Sequence, residues 1–193
     1  MLHRVFIAIE LPKNIKEELG SYQNEFKQIL PAKWVEPENL HITLAFLGNQ
    51  TDEKILKIKE ILRNITSNFS HFNLETKKIV FGPEKNYNFE KLNKIPNLIW
   101  VEIQKNELIK ELYQKIYDNL KTINIFLENR EFIPHSTLCR LRTWEFKRLD
   151  LDEILSLERD IFLSFKVDKI VLMESILKRK GPEYKVLETF NLK

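Results

Sequence analysis

The hydrophobic pattern changes period several times along the first half of the chain, and then repeats those changes. Near the start, "RVFIAIEL" from Arg4 is a short apolar run that predicts a strand. In the stretch that follows, Ile15, Leu19, Tyr22, Phe26 and Ile29 fall at three- and four-residue spacing, which predicts an amphipathic helix. Beyond it, "ENLHITLAFLG" from Glu38 alternates. Ile42, Leu44 and Phe46 point one way and His41, Thr43 and Ala45 the other, because successive strand side chains face opposite sides. A second helix follows, with Ile55, Ile58, Ile61 and Leu62 on its inner side, and then a strand, "FNLETKKIVFG", from Phe72.

The second half reads the same way. "LIWVEIQ" from Leu98 predicts a strand, and Leu108, Leu112, Ile116 and Leu120 predict a helix. "REFIPHSTLCRL" again sets a threonine two residues after a histidine, and "FKVDKIVLMES" from Phe165 predicts the closing strand. His41 and His135 are 94 residues apart, as are the two "IKE" words at Ile15 and Ile109 and the strand residues Arg4 and Leu98. The fold class expected is α+β: two pseudo-symmetric lobes, each a small antiparallel sheet with outer helices, flanking a central cleft. Residues 1–193 then form one two-lobed domain, duplicated at approximately 1–94 and 95–193, with room for the lobes to exchange strands.

Composition narrows the class without naming a ligand. A hydrophobic content of 43% and a charged content of 31% describe a folding chain rather than a disordered one. The net charge of +3 is too slight to identify an anionic partner. Four glycines exclude the multi-glycine phosphate loops. Cys139 is the single cysteine, which excludes an internal disulfide and fits a reducing compartment. The apolar start is short, is broken by Glu10 and Pro12 and lacks a small-residue cleavage site, so a cytoplasmic, non-membrane protein is expected.

The paired His-x-Thr segments carry the candidate chemistry. Two of the four histidines having threonine at the second position has a composition-only chance of roughly one in a hundred. Imidazole titrates near neutrality, so one ring can take a proton from an attacking water or hydroxyl while the other gives one to a leaving alkoxide. Thr43 and Thr137 share their histidines' faces and can donate to a non-bridging phosphate oxygen. A metal site would need more ligands than His41 and His135 supply, and a nucleophilic Cys139 has no evident activating partner. Regular alternation would put Cys139 on the face of His135 and turn Arg140 away, although a long side chain near a strand end can reach round to a phosphate. His3 and His71 lack the threonine and read as surface residues. Phe6 and Trp100 read as core, while Trp34 and Tyr184 could also stack a base. Lys178, Arg179 and Lys180 form either a solvated turn or an RNA clamp.

These segments, with "WVEPENLHITLAFLG", "FIPHSTLCRL" and "ESILKRKGPEYKVLETF", resemble the two-histidine (2H) phosphoesterase superfamily. Within it they are most similar to the LigT-like RNA 2′,3′-cyclic phosphodiesterases, also called 2′-5′ RNA ligases. The resemblance implies a metal-independent enzyme with no cofactor that opens a terminal 2′,3′-cyclic phosphate on RNA to leave a 2′-phosphomonoester. By analogy, His41 would protonate the departing 3′-oxygen, His135 would activate water, and Thr43, Thr137 and Arg140 would hold the phosphate. The residues alone do not say which histidine is acid and which base, because the two segments are so alike. Cys139 stands where the family often has alanine. Partners expected are an RNA 3′ end such as a tRNA fragment, or a nucleotide, with a monomer needing no protein partner. The alternatives are 2′-5′ ligation, a phosphodiesterase for small cyclic nucleotides or 2′-5′ oligonucleotides, and a nucleotide-binding module without catalysis.

Overall fold

The computed structural model describes residues 1–30, 32–82, 96–128, 131–146, 150–178 and 181–193. In chain order the first half runs β1 (Leu2–Glu10), α1 (Lys13–Ile29), β2 (Lys33–Trp34), a 3₁₀ turn (Pro37–Asn39), β3 (His41–Thr51), α2 (Asp52–Ser67) and β4 (Phe72–Gly82). The second half runs β5 (Leu98–Ile103), α3 (Glu107–Lys121), β6 (His135–Arg140), α4 (Thr143–Phe146) and α5 (Leu151–Leu157). It closes with β7 (Arg159–Asp160), β8 (Ser164–Val167), β9 (Lys169–Lys178) and β10 (Gly181–Asn191). Among the described residues no helix is long and apolar enough to cross a membrane.

The strands form one open antiparallel sheet in the order β10-β9-β1-β3-β6-β5-β4-β7, with β2 against β6 and β8 against β4. The α+β class expected from the sequence stands, and its two sheets are contiguous. They join where β3 meets β6 edge to edge through a single residue pair, Ile42 with Ser136. Pairing crosses the midpoint of the chain. β4 lies against β5 of the second half, and β9 of the second half lies against β1.

Among the described residues α1, α2 and α3 pack on one face of the sheet. Val5, Ile7 and Ile9 of β1 share a core with Ile15, Leu19 and Phe26 of α1, Ile58 and Leu62 of α2, and Ile109, Leu112 and Ile116 of α3. Each such buried apolar side chain contributes about 1.5–3 kcal/mol, so this face holds the fold together. The starts of α2 and α3 are set by side-chain caps: Thr51 Oγ1 accepts from Lys54 N, and Asn106 Oδ1 accepts from Leu108 N and Ile109 N. The Asn106 cap fixes the phase of α3. Ile109, not the expected Leu108, heads its buried stripe, and Leu108 is 44% exposed. On the other face of the sheet Phe6, Ala8, Val171 and Met173 form a small separate cluster with Tyr184. Phe6 is therefore buried as expected, but on the face that carries His41.

Candidate active site

Each histidine opens its strand and is held by the backbone just before it. His41 Nδ1 lies 2.6 Å from Asn39 O, and His135 Nδ1 lies 2.7 Å from Ile133 O. A carbonyl can only accept, so both rings carry a proton on Nδ1 and leave Nε2 as the outward nitrogen. For His41 that nitrogen lies 3.1 Å from Thr43 Oγ1, whose hydroxyl donates to it when the ring is neutral. The seam pair Ile42–Ser136 sits between the two motifs. Extending its register by one residue each way sets His41 across from Thr137, and His135 across from Thr43. That is a twofold relation.

Alternation breaks just beyond each threonine. Ala8 pairs with Thr43 but Ile7 with Ala45, so Leu44 is an extra residue. Trp100 pairs with Thr137 but Ile99 with Cys139, so Leu138 is the matching extra residue. Such bulges reverse which face later side chains take. Leu138 and Cys139 are both buried, and Arg140 emerges exposed on the side of His135 and Thr137. Two expectations are corrected by this. Cys139 does not share the face of His135: it is in the main core, where burial, with the Glu145 carboxylate adding to it, pushes its thiol up to about 12. Such a thiol is inert. Arg140 is not turned away; its charge acts on both His41 and Tyr184. Gln23 of α1, fully buried, supports the bulge by donating from Nε2 to Leu138 O at 3.0 Å and to Val35 O at 2.8 Å.

The two rings have different walls. His41 lies 5.1 Å from the Phe6 ring and meets the edge of Tyr184 at 5.3 Å. Burial there lowers its pKa to about 4, only partly offset by the Asn39 hydrogen bond and reinforced by the charges of Lys16, His135 and Arg140. His135 rests on Trp100, ring centroids 4.1 Å apart and planes tilted by 37°. Phe46 occupies the position in β3 that Arg140 occupies in β6, and it is 57% exposed. Sequence reasoning misses the exposed place of Phe46 beside Phe6, although its 94-residue offset from Arg140 marks it.

The remaining candidates disperse. Trp34 is buried against Phe26 and donates Nε1 to Leu30 O, so it belongs to the core. His3 bridges Glu174 and Asp52 at the far end of β1, and His71 is exposed. Lys178 pairs with Glu183 across the β9–β10 hairpin; Arg179 and Lys180 lie outside the described residues. Among the described residues no three His, Cys, Asp or Glu side chains are grouped to hold a metal ion.

A sheet whose edge-to-edge seam presents two His-x-Thr strands on the face opposite α1, α2 and α3 is the frame of a two-histidine phosphoesterase. The sequence model of the LigT-like phosphoesterases matches residues 9–88 and 101–184, and the chain belongs to that family. An RNA 2′,3′-cyclic phosphodiesterase of Methanocaldococcus jannaschii is 35% identical over 185 residues, 96% of this chain and 98% of that protein. One of Aquifex aeolicus is 30% identical over 192 residues, 98% and 97% of the two chains. The crystal structure of Escherichia coli LigT with 3′-AMP superposes with a TM-score of 0.79 at 22% identity, covering 100% of this chain and 99% of that one. A crystal structure from Thermus thermophilus gives a TM-score of 0.80 at 24% identity, over 98% and 97%.

Proposed function

We propose that the protein hydrolyses RNA 2′,3′-cyclic phosphate ends to 2′-phosphomonoesters by metal-independent acid–base catalysis between His41 and His135. The observation that carries this reading is the seam, which sets two histidines, each locked with Nε2 outward, on either side of one residue pair. An in-line displacement needs a proton acceptor on one side of phosphorus and a donor on the other. His135 Nε2 takes a proton from water as its oxygen bonds to phosphorus. The bond from phosphorus to O3′ breaks, and His41 Nε2–H delivers a proton to O3′. The product is a 2′-phosphate with a free 3′-hydroxyl. His41 is neutral in the free protein, its pKa held near 4. It takes up its proton together with substrate, because a phosphodiester anion beside it favours the imidazolium. Thr43, Thr137 and Arg140 hold the non-bridging oxygens, Arg140 with a full charge. Phe46 and Tyr184 offer ring faces for a base.

The family membership and the names of the curated relatives support this substrate class. We read the partner as an RNA 3′ end such as a tRNA fragment, and the protein as a cytoplasmic monomer that needs no protein partner. The matching bulges after Thr43 and Thr137 support a single duplicated domain over residues 1–193 whose halves exchange a strand.

The test is a short RNA ending in 2′,3′-cyclic phosphate, incubated with the protein in EDTA beside a 2′,3′-cyclic mononucleotide. Conversion of the RNA to a 2′-phosphate end, identified against 2′- and 3′-phosphate standards, is expected. A 3′-phosphate product, or a strict divalent-ion requirement, would sink the scheme. Exclusive turnover of the mononucleotide would move the substrate to small cyclic nucleotides, and net joining to an added 5′-hydroxyl RNA would move the reaction to ligation.

A further inference from the structure

The described residues leave the indole N–H of Trp100 buried without a hydrogen-bond partner, directly beside one of the two histidines. Trp100 is 4% exposed, and its position in β5 corresponds in register to Ala8 in β1: the one pairs with Thr137, the other with Thr43. An unpaired buried donor is unfavourable, and phenylalanine or leucine would fill the space without one. The space itself is specially made. A Cβ on Gly82 would lie 2.5 Å from indole Cδ2, 2.6 Å from Cε2 and 2.7 Å from Cε3, separations no side chain tolerates. Gly82 ends β4, two residues beyond Val80, the residue that pairs with Trp100. It is the notch into which the indole fits.

We propose that Trp100 is a positioning residue for His135: seated in the Gly82 notch, its indole is the floor that fixes the imidazole plane and favours the imidazolium. An aromatic face within about 6 Å of a cation attracts it through the ring quadrupole, and the 4.1 Å separation lies well inside that range. The Ile133 carbonyl fixes the ring from Nδ1, and the indole fixes it from its face. Other charged and titratable groups also act around His135. Glu102 is its pairing partner on β5 and is itself 4.0 Å from Lys77 of β4. Arg140 follows on β6, Lys33 of β2 pairs with Arg140, and His41 lies across the seam. Trp100 lies against the ring itself. The inference rests on the reading that His135 is an acid–base group.

The test titrates His135 by NMR, its ring signal assigned with His135→Gln, in the wild type, Trp100→Phe and Trp100→Leu, alongside steady-state rates. In Trp100→Leu the His135 pKa should fall by about half to one unit, with kcat about tenfold lower and KM little changed. Trp100→Phe should shift it less and recover most of kcat, since a ring face remains. Gly82→Ala, which displaces the indole, should reproduce the kcat loss at unchanged KM. An unshifted His135 titration in both Trp100 variants would overturn the proposal. So would a Trp100→Leu protein of wild-type kcat. If Trp100→Leu does not fold, Trp100→Phe decides: a shift in the same direction supports the proposal and none overturns it. Full activity in His135→Gln would instead mean that the acid–base reading is wrong, and the titration would still report whether the indole acts on the ring.

Discussion

The half-site around His41 and the half-site around His135 use the same backbone and different walls. Both histidines donate Nδ1–H to a carbonyl two residues earlier, and both strands bulge at the leucine after the threonine. Around His41 the neighbours are Phe6 and Tyr184, and the bulge delivers Phe46; around His135 the neighbour is Trp100, and the bulge delivers Arg140. Main-chain geometry thus aims two identical nitrogens, while the side chains around them give one half Phe6, Tyr184 and Phe46 and the other Trp100 and the charge of Arg140. Two like motifs thus meet unlike surroundings, which is what the proposed acid and base roles require.

The sharpest way to probe that difference is acid. The His41 pKa of about 4 lies below its ordinary 6.5, so between those values the unfolded chain binds a proton that the folded ring refuses. Stability is full above pH 6.5 and falls as pH drops towards 4, by about 3 kcal/mol for a shift of this size. Urea unfolding at pH 7 and pH 4.5 should show this loss in the wild type and a much smaller one in His41→Gln. Equal losses would mean that burial does not distinguish the two halves.

A smaller effect separates Phe46 from Arg140. Arg140→Ala should raise KM for a cyclic-phosphate RNA about tenfold and flatten its salt dependence, since on the proposed reading it removes a charge that meets phosphate. Phe46→Ala should raise KM by a similar or smaller factor, as losing one base stack costs about 1–3 kcal/mol, and should leave the salt slope alone. Identical salt slopes in the two variants would erase the contrast. The smallest effect is expected at Cys139. Cys139→Ala should leave kcat and KM unchanged and cost about 1 kcal/mol of stability from the lost buried sulfur, and a large loss of rate would restore the thiol as a candidate.

Alternation along "HITL" and "HSTL" was enough to put each histidine and threonine on one face, and helical spacing was enough to find α1, α2 and α3. The bulges were harder to read, because one extra residue changes no composition. Their trace is the pair of consecutive buried positions, Leu44–Ala45 and Leu138–Cys139, that interrupts each alternation. The placement of Cys139 and Arg140 failed on that one residue. Strand register was equally hidden. Aligned words put Arg4 with Leu98, 94 residues apart, yet in the sheet Phe6 faces Phe46 and Leu98 faces Arg140, an offset of 98 − 6 = 92. Phe6 and Trp100 read as core because they stand in apolar strands. Both are buried, and what sequence could not show is that the sheet's second face buries them against the histidines.

The central claim is that His41 and His135 act as one unit on one phosphate. Its most direct test is the hydrolysis rate of a cyclic-phosphate RNA by His41→Gln, His135→Gln and the double variant, each checked for folding by circular dichroism. Each single variant should lose about 10²–10⁴-fold in kcat, and the double should lose little more than the worse single, because residues that act as a unit are not additive. A single variant with wild-type kcat, or a double whose loss is the product of the two single losses, would contradict the account.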